Sequence, residues 1–203
     1  FTALTTIPAF LGAGAISQDF IIFAFGHKWD ASAWPMMMLA FGVIPMTYAH
    51  YFQTAMQAAG RPAAASGPEL LRLTVGAIIL AAAAPFGLIW ASSAEALRRY
   101  IVAPHIIQVL KRELGLSWGD AFHMVSIPAF WSILMFGLVV LARNTVLISL
   151  PIAPRLVICV LMGGAIYAFG MLVVSRGYTR DVWKSIEPAM PQKIAEYVRL
   201  VIR

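Results

Sequence analysis

Two adjacent arginines, Arg98 and Arg99, fall at the midpoint of an apolar stretch running from Gly87 to Leu110, with Glu95 one turn before them and His105 two turns after. At about 100° per residue, Ser92, Glu95, Arg98, Arg99 and His105 occupy an arc of about 140°, so the ionisable groups share one helix face. Guanidinium groups bind phosphate and carboxylate oxygens through paired N–H donors. The chemistry open to this face is the holding of an anion. Glu95 would position the arginines and serve as a candidate proton carrier, with His105 in a secondary role. An arginine facing lipid at the bilayer centre costs about 3 kcal/mol or more, so the face must look into protein or water. The plainer alternative is a structural ion pair of Glu95 with Arg98 or Arg99 at i,i+3 or i,i+4, which leaves one arginine without a partner in this segment.

Two further groups are candidates for a cavity or a coupling role. Asp19 is the one charge inside the stretch 3–26, and it either faces a cavity or reaches the interface. His50 stands among Tyr48, Tyr51, Gln53 and Gln57, unusually polar company for lipid contact, as a hydrogen-bonded packing residue or a proton carrier. Other chemistry has no visible footing. His27, His50, His105 and His123 show no metal-ligand spacing, and Cys159 is alone in an apolar run, so neither a metal site nor a disulfide is expected. No GxSxG, phosphate loop or paired-aspartate motif is present, and neither enzymatic activity nor a cofactor is expected. The +6 net charge sits mostly in loops and tail, where it orients helices rather than pointing to nucleic acid.

The elements that must carry these groups are membrane helices. The chain has 203 residues, 61% of them hydrophobic and 12% charged, with a mean hydropathy of +0.80, the profile of a polytopic membrane protein. An all-α bundle of about six spans is expected, over 3–26, 34–58, 66–86, 87–110, 126–142 and 156–174. A rival parsing makes Leu71 to Ala94 one helix with the arginines at its mouth, giving five spans; the breaker cluster Pro85-Phe86-Gly87 opposes it. Pro8 should break the first span lightly, and Pro45 and Pro104 should kink the second and fourth. Ser66 to Glu69 matches a capping box opening the third span, where Arg72 can snorkel. Glu113 to Val125 reads as an interfacial segment with a short helix capped by Ser117. The loop Arg143 to Arg155 then joins two spans without internal charge. Residues 1–175 would form the membrane-embedded lobe and 176–203 a basic cytoplasmic tail, where Ile194, Tyr197, Val198 and Val201 follow helical spacing. Loop charge places the Arg61 loop, the Lys111 loop and the tail on the cytoplasmic side. The chain opens at Phe1 directly in a hydrophobic segment with no basic leader region, so a fragment is expected.

Three motifs in order carry a family resemblance: Phe25-Gly26-His27-Lys28-Trp29, Gln57-Ala58-Ala59-Gly60-Arg61-Pro62, and Pro85-Phe86-Gly87-Leu88, followed by Gly115-Leu116. Over about residues 1–125 the chain resembles bacterial polysaccharide exporters, the lipid-linked oligosaccharide flippases of the multidrug/oligosaccharidyl-lipid/polysaccharide flippase superfamily. The resemblance implies two pseudo-symmetric helical lobes around a cavity that opens alternately to each side of the bacterial inner membrane. This chain would be the C-terminal lobe, with the N-terminal lobe upstream and membrane lipids around both. It also implies a lipid-linked anionic glycan as substrate, its diphosphate meeting cationic cavity residues. Glu95, Arg98 and Arg99 correspond to no fixed family motif, so their assignment rests on depth and shared face. A drug/cation antiporter of the same superfamily would use Asp19 or Glu95 for the coupling ion, but two adjacent arginines oppose a cationic substrate. A membrane-embedded polyprenyl-phosphate glycosyltransferase would want catalytic carboxylates or histidines near an interface. A structural membrane subunit would not need a charged midplane.

Overall fold

The computed structural model describes residues 2–115 and 117–186, and every regular element among them is helical. In chain order these are α1 (Thr2–Ala15), α2 (Ser17–Phe25), α3 (Ala33–Phe41), α4 (Val43–Ala58), α5 (Ser66–Ala83), α6 (Leu88–Leu114), α7 (Trp118–Thr145), α8 (Ile152–Phe169) and α9 (Arg176–Ile186). Short 3-10 turns precede α3, α5 and α6, and a π turn, Gly170–Val174, follows α8. Among the described residues, three stretches are long and apolar enough to cross a membrane: Pro62–Phe86, Val125–Thr145 and Ile152–Val174. α1 and α2, bent by 71° at their junction, make a fourth if counted as one broken span. The most hydrophobic window of Pro62–Phe86 has none of its residues buried, an arrangement suited to lipid rather than water.

Residues four apart build the interior. Ala3, Ile7, Leu11 and Ala15 form one row on α1, packed with Val125, Ala129, Met135 and Val139 of α7. Val102, Ile106 and Leu110 form a second row on α6, against Phe52 and Met56 of α4. α5 packs on α6, and α3 lies between α1 and α6. At the contact of α1 with α3, a side chain on Gly14 would sit 2.8 Å from the Ala40 Cβ, so the missing side chain sets the approach of the two helices.

Two of the breaks fall where sequence signals placed them. After α4, Gly60 takes φ +67 while the Arg61 N–H bonds the Met56 carbonyl at 2.9 Å and the Gly60 N–H bonds Gln57 at 3.1 Å, closing the helix as a left-handed glycine cap. α5 ends at Ala83 and α6 starts at Leu88, so the chain turns at the Pro85-Phe86-Gly87 cluster, and a single helix over 71–94 is excluded. Arg61 pairs with Glu113 at 3.6 Å, bringing the end of α4 beside the end of α6.

Elsewhere the structure differs from expectation. The first helix continues through Pro8 and breaks at Ile16, whereas the second breaks at Gly42, in the turn just before Pro45. Proline has no N–H, so Pro8 and Pro45 orphan the carbonyls of Leu4 and Phe41, four residues earlier. The hydroxyls of Tyr167 (2.8 Å) and Tyr100 (2.7 Å) donate to those two oxygens. Ser66 and Glu69 form no capping box: Ser66 donates to the Ala63 carbonyl and Glu69 pairs with Arg72. No separate interfacial helix forms, because α6 reaches Leu114 and α7 runs unbroken from Trp118. The loop between α7 and α8 shrinks to 146–151, which puts Arg143 and Arg155 inside helices expected to carry no charge. The spacing noted at 194–201 lies outside the described residues.

Candidate functional site

α6 supplies the floor of the site and α4 and α5 its walls. Its 27 residues are held to register at the far end by Gly115, left-handed at φ +70, whose N–H bonds the Lys111 carbonyl at 3.0 Å. Above the floor lies a cavity of about 250 Å³. Pro45, Met46, Ala49, His50 and Gln53 of α4 line it, with Glu69 and Arg72 of α5 and Arg98, Arg99, Val102 and Ile106 of α6. One part of the lining is ionic and another apolar.

Glu95 holds both arginines, as the one-turn spacing allows. Arg98 donates Nε to Oε2 at 2.7 Å and Nη2 to Oε1 at 2.5 Å, a two-point fork, and its Nη1 reaches the Arg72 carbonyl at 3.1 Å. It is buried, at 6% exposure. Arg99 is held less firmly: Nε is 3.3 Å from the Glu95 carboxylate, and Nη1 faces the Met46 sulfur at 3.5 Å, a weak acceptor. Its side chain is 25% exposed and that of Glu95 27%. Beside them Arg72 and Glu69 form their own forked pair. Three guanidiniums thus line the cavity against two carboxylates, Glu69 in the lining and Glu95 bonded to Arg98 and Arg99, and Arg99 carries the least compensated charge.

Of the residues singled out by sequence, the structure brings together Glu95, Arg98 and Arg99, with His50 on the wall of the same cavity. His105 stands apart. It is exposed and lines a different recess, with Gln108, Lys111 and Arg112, although the next residue, Ile106, lines the arginine cavity. Ser92 bonds its own Ile89 carbonyl rather than the arginines.

Asp19 also lies elsewhere. It is 4% exposed, and its Oδ1 accepts from Arg155 Nη2 at 2.6 Å. Asp19 Oδ2 and Arg155 Nε find no partner among the described residues. Close by, Arg143 Nη1 donates to the Ala15 carbonyl at 3.2 Å, at the break between α1 and α2. Sequence reasoning missed Arg155 as the partner of Asp19; the available signal was that a buried carboxylate needs a cation. It also missed Glu69 and Arg72 as cavity residues, reading them only as a cap and an interfacial anchor. No group of three or more His, Cys, Asp or Glu side chains able to hold a metal occurs among the described residues.

Comparison with protein-family models, with curated proteins and with solved structures found no match for this chain.

Proposed function

We propose that this chain is one lobe of a bacterial inner-membrane exporter that flips a polysaccharide or polyprenyl-diphosphate-linked oligosaccharide without altering it chemically. The observation that carries the reading is the cavity beside α6, where three guanidiniums face two carboxylates and Arg99 is only loosely held. A diphosphate supplies the missing negative charge, and guanidinium forks suit its oxygens. The apolar wall formed by Ala49, Val102 and Ile106 suits the chain that carries such a head group. The motif resemblance around Gly26, Gly60 and Gly87 supports the same family, in which a second lobe would lie upstream in the polypeptide.

On this reading the described helices make six crossings. α5, α7 and α8 are joined by the broken pairs α1–α2 and α3–α4 and by α6, whose 27 residues extend about 40 Å. α6 is too charged to pass as a span by composition, which is tolerable where its ionic face looks into a protein cavity. The Arg61 and Lys111 ends and the basic tail would face the cytoplasm.

The test is export by the full-length protein in cells lacking their own copy. Arg99→Ala should leave protein yield nearly unchanged, while export fails and lipid-linked sugar accumulates on the cytoplasmic side. Arg99→Lys keeps the charge without the fork and should be partly active. Arg98→Ala should lower yield as well, because it leaves the Arg72 carbonyl and Glu95 short of donors. A variant lacking both arginines that inserts and exports at the normal rate ends the reading.

A further inference from the structure

Each arginine of the pair crosses a glycine on a neighbouring element. A side chain on Gly76, inside α5, would lie 3.2 Å from both Cδ and Nε of Arg98 and 3.5 Å from its Cζ, and no other residue's atoms are among its nearest neighbours. A side chain on Gly42, at the α3–α4 junction, would lie 2.9 Å from Cδ and 3.1 Å from Nη1 of Arg99, and 3.2 Å from the Leu39 carbonyl oxygen. Neither glycine is required by its backbone. Gly42 has φ −67 and ψ −5, an ordinary right-handed conformation, and Gly76 is not among the glycines of positive φ. Alanine is the better helix former, so on local grounds it would be preferred at position 76. The space is what matters.

The position of Gly76 is also informative. It lies four residues after Arg72 on the same helix face, so a bare Cα there uncovers the Arg72 carbonyl that Arg98 Nη1 reaches at 3.1 Å. At Gly42 the arrangement repeats with different parts. Tyr100 of α6 donates to the Phe41 carbonyl, and its neighbour Arg99 lies across the bare Gly42.

We propose that Gly42 and Gly76 are positioning residues of the anion site: two seats, on two different elements, that hold the guanidiniums of Arg99 and Arg98 at the cavity. The proposal rests on the reading of that cavity as an anion site, and its test separates the two. In the full-length protein in detergent, thermal unfolding is measured together with binding of a short-chain isoprenyl diphosphate. Gly76→Ala should lower Tm by about 3 °C and weaken binding about tenfold. In an Arg98→Ala background the same change should leave Tm level or raise it, because the crowding atoms are gone. Gly42→Ala with and without Arg99→Ala forms a second cycle, in which a minor cost persists from the Leu39 carbonyl. Gly67→Ala, which meets nothing within 4 Å, should alter neither readout. Equal Tm losses with and without the arginine overturn the proposal. So does a lowered Tm with unchanged affinity, which would make the glycines packing residues only. If Gly42→Ala does not fold, the Gly76 cycle decides alone. Failure of the native protein to bind the diphosphate removes the functional reading, while the Tm cycles still decide the seats.

Discussion

Two helix joints among the described residues, α1–α2 and α3–α4, treat charge differently. α1 and α2 part at Ile16 with a 71° bend, and the joint is tied by Arg143 on the Ala15 carbonyl and by the Asp19–Arg155 pair. α3 and α4 part at Gly42, where Arg99 and Tyr100 of α6 lie across the joint. Both breaks bare backbone that must be satisfied within the protein; Arg143 meets it at the first and Tyr100 at the second, with Arg99 alongside. At the first joint the ion pair is closed, with side chains 5% and 15% exposed. At the second, Glu95 and Arg99 are each about a quarter exposed, and Arg99 opens on a cavity with a cation to spare. Arginine at a break is therefore not itself a sign of binding. A surplus of charge, together with space beside it, separates the joint that can take a ligand from the joint that only holds.

The largest effect should come from breaking the closed pair. Arg155→Ala leaves Asp19 buried without its cation, and the expected loss is about 3–5 kcal/mol, seen as a collapse of Tm and yield. Asp19→Ala combined with Arg155→Ala should recover much of that loss, since no uncompensated charge remains. A double variant no more stable than Arg155→Ala alone would show that the joint is not held by this pair.

The open cluster should respond more mildly. Glu95→Gln leaves buried Arg98 its bond to the Arg72 carbonyl and leaves Arg99 a quarter exposed, so the expected loss is about 1–2 kcal/mol. If Glu95 only holds the arginines, yield falls and the pH profile of transport keeps its shape. If it also exchanges protons, the profile flattens. Normal yield with an unaltered profile would exclude both roles and weaken the contrast between the joints.

How far the sequence reaches follows the same division. The helical segments and the turns at Gly60 and Gly87 were legible because glycine, proline and hydropathy act locally, and the shared face of Glu95, Arg98 and Arg99 followed from helical geometry alone. The partners were not. Arg155 lies 136 residues from Asp19, and nothing in its surroundings announces the pairing. Gly42 and Gly76 look like ordinary small residues until the arginines crossing them are in view. His105 lines a separate recess although the next residue, Ile106, lines the cavity, so a shared helical arc did not fix which recess each side chain enters. Nor did the sequence show that tyrosines from distant helices serve the carbonyls that Pro8 and Pro45 orphan.

That last arrangement carries the smallest effect. Tyr100→Phe should cost about 0.5–1 kcal/mol by leaving the Phe41 carbonyl without a donor, and Tyr167→Phe should cost a similar amount at Leu4. The two differ in what else they touch. Tyr167 ties α8 to α1, away from the cavity, so its loss should leave diphosphate binding unchanged. Tyr100 adjoins Arg99 and fixes α6 to the Gly42 joint, so its loss should weaken binding about twofold to threefold. The cause can be isolated by returning the N–H that proline removed. Helical spacing resumes at the joint, where the Met46 N–H reaches the Gly42 carbonyl at 3.2 Å, so Pro45→Ala can offer its own N–H to Phe41. In that background Tyr100→Phe should cost almost nothing in Tm. An equal cost with proline or alanine at position 45 would mean that the hydroxyl serves some purpose other than the orphaned carbonyl.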